Sequence, residues 1–283
     1  MNYFKLLNKS RLALSRECEI ELNYLFGKKF NYIFTKRLKE FQYVNKSKPR
    51  FTGLFFQCLI FFYNIIKNLS LYQEKVSTKE IYIFAGTINQ LNTIQSSLKT
   101  LDANGNNYIL SVFKNLKNSH YSNKNIKSVK YNIKVVLNSL VLFLIYAFPL
   151  FLKLKKDHKD NQISWYFNKF CEPYIFLPYF IDQLNKIKPK LVVVTNDHAV
   201  YVRSLRVASE IMGIKTVYMQ HASVSEIYPP LEFNYALLDG KIAHQIYEDC
   251  YYKYLDKSER LKNNIKNCNV ILTGMKKSVS TTK

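Results

Sequence analysis

Two short polar clusters carry the side chains best suited to chemistry in this chain: Asn196-Asp197-His198 and Gln220-His221-Ala222-Ser223, followed by Glu226 and Asp239-Gly240. An imidazole titrates near neutral pH, so His221, flanked by Gln220, Ser223 and Ser225, is the candidate base for taking a proton from a hydroxyl. The same ring also fits a hydrogen-bonded structural histidine in a loop, and that reading stands beside the catalytic one. Glu226 and Asp239 are placed to orient the ring or to replace it as base, although carboxylates at strand ends also serve as caps and turn formers. Asn196 and Asp197 precede a helix. Either they cap it, or they help its N-terminus, with unpaired N–H groups and partial positive charge, to hold a phosphate or carboxylate. His198 is the weakest of the three as a substrate contact.

Each cluster closes a short apolar run. Leu191 to Thr195 is continuously apolar to its last residue, as expected of a strand buried on both faces of a parallel sheet. From Ala199 to Met212, Val202, Leu205, Ala208 and Ile211 recur at near-helical spacing, and Gly213 supplies a stop. Lys215 to Gln220 then makes a second strand delivering His221, and Phe233 to Leu238 a third delivering Asp239. Upstream, Ile81 to Gly86, Thr87 to Leu101 and Asn107 to Phe113 read as strand, helix and strand, a β-α-β opening. Glu172 to Lys188 predicts another helix, Lys241 to Tyr254 one more, and Asn269 to Gly274 a last strand. The expected architecture is therefore α/β, a parallel sheet flanked by helices, with ligands collecting at the carboxyl ends of the strands.

Composition narrows the function classes. With 283 residues and only seven Gly and seven Pro, the chain can bury a proper core and is not loop-rich. The net charge of +22 is lopsided: 26 Lys and Arg face nine acids up to residue 160, and sixteen face eleven beyond it. Such a surface attracts nucleic acid or an anionic leaflet. Nucleic acid is disfavoured as a partner because zinc-finger spacing, an arginine-rich arm and RNA-binding aromatic motifs are all missing. Five scattered cysteines without a C-x-x-C pair fit a reducing compartment, and no histidine pair at i, i+4 predicts a metal. A G-x-S-x-G elbow, a P-loop, a G-x-G-x-x-G turn and a paired-carboxylate signature are likewise missing, which counts against classical hydrolases, kinases and dehydrogenases. The N-terminus lacks a signal peptide's apolar stretch, so a cytoplasmic location is expected.

Two apolar stretches ask for placement. Phe55 to Ile66 is too short to span a bilayer and suits a buried or interfacial helix. Val135 to Leu152 would reach about 27 Å as a helix, close to the hydrocarbon thickness. If the strands before and after it share one sheet, a single crossing would part them. Lysines flank both ends, Lys127, Lys130 and Lys134 before and Lys153, Lys155 and Lys156 after, so both ends belong on the cytoplasmic side. The segment is expected to lie in the plane of the inner leaflet, with an ordinary core helix as the alternative.

The stretches from Lys188 to His198, Ala208 to His221 and Tyr228 to Gly240 resemble bacterial surface-polysaccharide glycosyltransferases of the GT-B fold, of the capsule and polysialic-acid type. The resemblance implies a Rossmann-like acceptor-binding half, with His221 as the cleft histidine and Asn196 and Asp197 at the neighbouring strand end. Ala222 stands where that family commonly has glycine. Composition sets apart a basic helical region over residues 1–70, which the resemblance does not reach; the resemblance implies an acceptor-type domain over 71–274, with the apolar insertion at about 134–156, and the start of a second half over 275–283. That second half would bind the nucleotide-sugar donor, so the donor site is expected from a partner or a longer product, and this chain alone is expected to be inactive or incomplete. No tightly bound cofactor is implied. The expected partners are a glycan or lipid-linked acceptor, an anionic membrane surface at the cytoplasmic face, and a chain carrying the donor half. The substrate-facing set is then His221 as base with Asn196, Asp197, His198, Gln220, Ser223, Glu226 and Asp239. Rival expectations are a non-catalytic module binding glycan or lipid, and half of a sugar-nucleotide epimerase-like enzyme.

Overall fold

The computed structural model describes residues 53–71, 77–117, 125–158, 167–224, 231–254 and 268–274. The expected basic helices of residues 1–50, the candidate Glu226 and the tail 275–283 lie outside the described residues.

Seven parallel strands form one sheet. They are β1 (Ile81–Ala85), β2 (Tyr108–Val112), β3 (Ile126–Ser128), β4 (Leu191–Val194), β5 (Lys215–Met219), β6 (Tyr235–Leu238) and β7 (Asn269–Leu272). Their order is β3-β2-β1-β4-β5-β6-β7. The chain therefore winds outward from β1 in one direction and, after a long crossover, outward from β4 in the other. β1 is paired on both sides, Ile83 opposite Leu110 and opposite Val193. The strands before and after the apolar stretch thus share one layer, as the sequence argument required.

Helix α1 (Leu54–Lys67) precedes the sheet. Within it come α2 (Ile88–Ala103), α3 (Lys114–Lys117), α4 (Ile133–Leu142), α5 (Phe148–His158), α6 (Phe167–Cys171), α7 (Pro173–Ile187), α8 (Val200–Ile211) and α9 (Lys241–Tyr254). Thr87 and Asn132 accept backbone N–H groups from Gln90 and Val135 and so cap α2 and α4. Pro178 sits inside α7 without ending it. The helix stops instead at Lys188, which takes a left-handed φ of 53° and donates its N–H to Leu184 before Pro189. Between α4 and α5 the apolar stretch widens into a π turn at Phe143–Ala147, just ahead of Pro149.

Two cores flank the sheet. The larger joins Tyr82, Phe84, Val192, Val194 and Tyr218 to α1 and to α4 through α9. The smaller joins Ile83, Ala85, Tyr108 and Leu110 to Leu91, Ile94 and Leu98 of α2 and Leu116 of α3. In α8 the expected buried face is present at Val202, Leu205 and Ala208, but Arg203, Ser204, Arg206 and Ser209 are buried as well. The helix is enclosed on nearly all sides, and Arg206 is held by Glu232 at 2.8 Å and Glu210 at 3.1 Å.

Candidate functional site

The strand order reverses between β1 and β4, where open α/β sheets usually admit a ligand. Here that crevice is filled. The Gly86 N–H donates to Gln90 Oε1 at 2.7 Å, and Gln90 Nε2 donates to the Tyr201 hydroxyl at 3.3 Å. A Cβ at Gly86 would fall 2.5 Å from the Tyr201 ring, so glycine is required for this closure. Phe84, Phe113 and Phe176 pack around the same ring.

Beyond β4, the chain turns through the first polar cluster. Asn196 Oδ1 accepts from the backbone N–H groups of His198 at 3.1 Å and Ala199 at 2.7 Å. Its side chain is thus spent on the turn ahead of α8, and Asn196 is only 4% exposed. Asp197, 6% exposed, is also buried. The sequence left each as a cap or a substrate contact; Asn196 is taken up by its turn and Asp197 by hydrogen bonds to His198 and Tyr247, and neither lines the cleft described below.

Asp197 instead organises its surroundings. His198 Nδ1 lies 2.8 Å from Asp197 Oδ1, and the Tyr247 hydroxyl donates to Asp197 Oδ2 at 2.5 Å. The Tyr218 hydroxyl is 3.1 Å from that of Tyr247, whose proton is already committed to the carboxylate, so Tyr218 donates in this link. Burial first, and then the Asp197 charge, push the Tyr247 phenol far above the usual range, keeping it a donor at any ordinary pH. With Nδ1–H turned to the carboxylate, the acceptor nitrogen of a neutral His198 is Nε2, and this ring is part-exposed at 31%. Tyr218 and Tyr247 were not among the candidates read from the sequence. Ala243, Tyr247 and Cys250 mark a buried face of α9 by their spacing, but nothing in the sequence tells which residue a tyrosine 50 positions away will meet.

At the end of β5, Gln220 ties strands together. Its Oε1 accepts from Asp239 N at 2.9 Å and its Nε2 donates to the Ala222 carbonyl at 3.0 Å. His221 follows, half-buried, with its Nδ1 buried and making no hydrogen bond among the described residues. Burial lowers its pKa and the His198 ring adds to this, while the Asp197 charge and the Thr195 backbone pull the other way without overcoming it. Burial thus favours the neutral ring, and its partnerless nitrogen, Nδ1, is turned into the protein. The Asp239 carboxyl is pushed up by burial.

A cleft of about 990 Å³ brings several of these groups together. One wall is α2, with Asn92, Thr93, Gln95, Ser96 and Lys99; the other is the strand-end set Gln220, His221, Ser223, Asp239 and Thr273, over Met219 and Leu237. The α2 wall was not anticipated, because hydroxyls and amides on an exposed helix face look like ordinary solvated surface. Its lining is short of charge and rich in groups that both donate and accept, which suits a polyhydroxylated ligand. Among the described residues no three His, Cys, Asp or Glu side chains gather to hold a metal ion. Compared with known proteins, the chain matches no protein-family model and no curated sequence.

Proposed function

We propose that this chain is the acceptor-handling, Rossmann-like half of a GT-B-type glycosyltransferase of surface-polysaccharide synthesis. The observation that carries the reading is a half-buried imidazole, His221, lining a cleft walled by amides and hydroxyls at the carboxyl end of a parallel sheet. In the reaction, His221 takes the proton of an acceptor hydroxyl seated against α2. The hydroxyl oxygen bonds to the anomeric carbon of a nucleotide-sugar, and the bond from that carbon to the nucleotide's phosphate oxygen breaks, its electron pair leaving with the nucleotide. The adjacent strand end carries a second imidazole, His198, held by Asp197 and outside the cleft lining. The donor's phosphates would be met by a second layer from a partner chain or a longer product, and stabilisation of their charge belongs to it. The acceptor would be a lipid-linked or surface glycan at the cytoplasmic leaflet.

The test is genetic and chemical. Disrupting the coding region in its source organism should remove or shorten the surface glycan, and restoring the wild-type chain should return it. Restoring His221→Ala should leave synthesis reduced on the order of 10²-fold, the usual contribution of a positioned base. Normal glycan in the disrupted strain sinks the reading. A second reading, a glycan-binding module without chemistry, is favoured by the hydroxyl and amide lining of the α2 wall. It separates cleanly: full rescue by His221→Ala together with failure of Ser96→Trp, which fills the cleft, would assign binding alone.

A further inference from the structure

An amphipathic helix normally hides one apolar stripe and shows a polar one. The run Ile133–Leu152 does not. Val135, Ser139, Leu142, Phe143, Ala147 and Phe151 face inward and are buried, while Leu137, Val141, Leu144, Ile145 and Leu152 face outward at 46–65% exposure. Helix α1 repeats the pattern, with Gln57, Phe61 and Ile65 buried and Phe55, Phe56, Leu59, Tyr63 and Ile66 exposed. The two lie side by side: Phe61 stacks on Phe143 at 5.5 Å, and Leu69 bridges to Tyr131 just ahead of α4. Joined through these inner contacts, the two helices together expose ten large apolar side chains on their outer faces, more than the singly scattered hydrophobics of ordinary surfaces.

Charge says what covers it. Residues 53–71 and 125–156 contain no Asp or Glu. Exposed Lys67, Lys130 and Lys134 gather where α1 ends and α4 begins, and exposed Lys156 stands toward the far end of α5. An apolar face whose own segments carry lysines and no acid is complementary to hydrocarbon beneath anionic headgroups rather than to a second copy carrying the same lysines. A crossing is ruled out by topology, since β3 and β4 on either side of the run belong to one sheet and the inner stripe is already packed in the protein.

We infer that α1 together with α4, the π turn and α5 is a two-helix surface that inserts shallowly into an anionic lipid leaflet. It adds a partner to the sugar-transfer reading without depending on it, and no step of the test involves sugar.

The full chain is floated with phosphatidylcholine vesicles, with and without about 30% phosphatidylglycerol, at low and high salt. Wild type should rise with the anionic vesicles and partly persist with them at high salt, because the apolar term is not screened. Leu137→Asp with Leu144→Asp should cut the bound fraction about tenfold or more, and the same pair as serine, a milder change at exposed positions, about threefold or more. Lys67→Glu with Lys134→Glu should abolish the preference for the anionic vesicles. Failure of the wild type to float, or flotation of the aspartate pair equal to wild type, overturns the inference. So does a dimer by light scattering that the aspartate pair dissolves, since a second copy would then own this face.

Discussion

One side of the sheet, carrying Tyr82, Phe84, Val194 and Tyr218, is closed into a core with α1 and α4 through α9; the other, carrying Ile83, Ala85, Val193 and Met219, has among the described residues only α2 and α3 over it. Parallel sheets are normally covered on both faces. On the thinly covered side the row Met219, Leu237, Ile271 runs out from under α2, and Ile271 is 51% exposed. The cleft opens over Met219 and Leu237 of that row. The contrast teaches that, among the described residues, packing and ligand space are divided between the faces: the covered side fixes the strands, and the room lies where α2 and α3 leave the other side open.

Substitutions can break or sharpen this division. Phe180→Ala on the covered side removes a fully buried ring that meets Phe84 at 5.4 Å and Tyr179 at 5.1 Å. It should cost about 3–5 kcal/mol in denaturant unfolding. Gly86→Ala forces a Cβ into the Tyr201 ring. An overpacking cost of about 1–3 kcal/mol is expected, visible as a lowered midpoint at unchanged slope. Tyr247→Phe leaves the buried Asp197 short of one donor. About 1–2 kcal/mol should be lost, and Tyr218→Phe in the same background should add little.

The imidazole at the cleft gives a signature in pH. Because burial lowers the folded pKa of His221 beneath its unfolded value near 6.5, the unfolded chain binds the proton more readily. Stability contributed by this site is full above about pH 6.5 and is lost as the pH falls through the folded value. Thermal melts between pH 7.5 and 5 should show this loss in the wild type and a shallower one in His221→Asn. The smallest effect belongs to the bare row, where Ile271→Ser should shift stability by less than about 0.5 kcal/mol. A loss comparable to Phe180→Ala would mean that the row is covered after all, and the division would fail.

Six of the seven strands were legible because each is a run of apolar, often β-branched residues closed by polar ones. β3 was not: three residues with Lys127 in the middle carry no pattern, and only pairing with β2 makes them a strand. Local rules also misplace emphasis at the site. Adjacent side chains on an extended chain point apart, so Asp197 and His198 did not read as a pair. The turn set by Asn196 brings them together. His221 was legible as a strand-end imidazole, whereas its lowered pKa depends on burial that no residue type announces.

The central pairing has a cost in time. β1 finds one neighbour, β2, soon after it in the chain, but Ile81 meets Leu191 only 110 residues on. Contacts of such long range are slow to form, because the loop must be closed before any bond rewards it. During synthesis at about 5–20 residues per second, β1 therefore waits on the order of 5–20 s with the edge that will become the middle of the sheet unpaired. The apolar run from Ile133 to Leu152 leaves the ribosome within that same interval. Production of this protein is thus most exposed to aggregation while it is half made, and chaperone capacity during translation, more than the stability of the finished fold, should govern its yield.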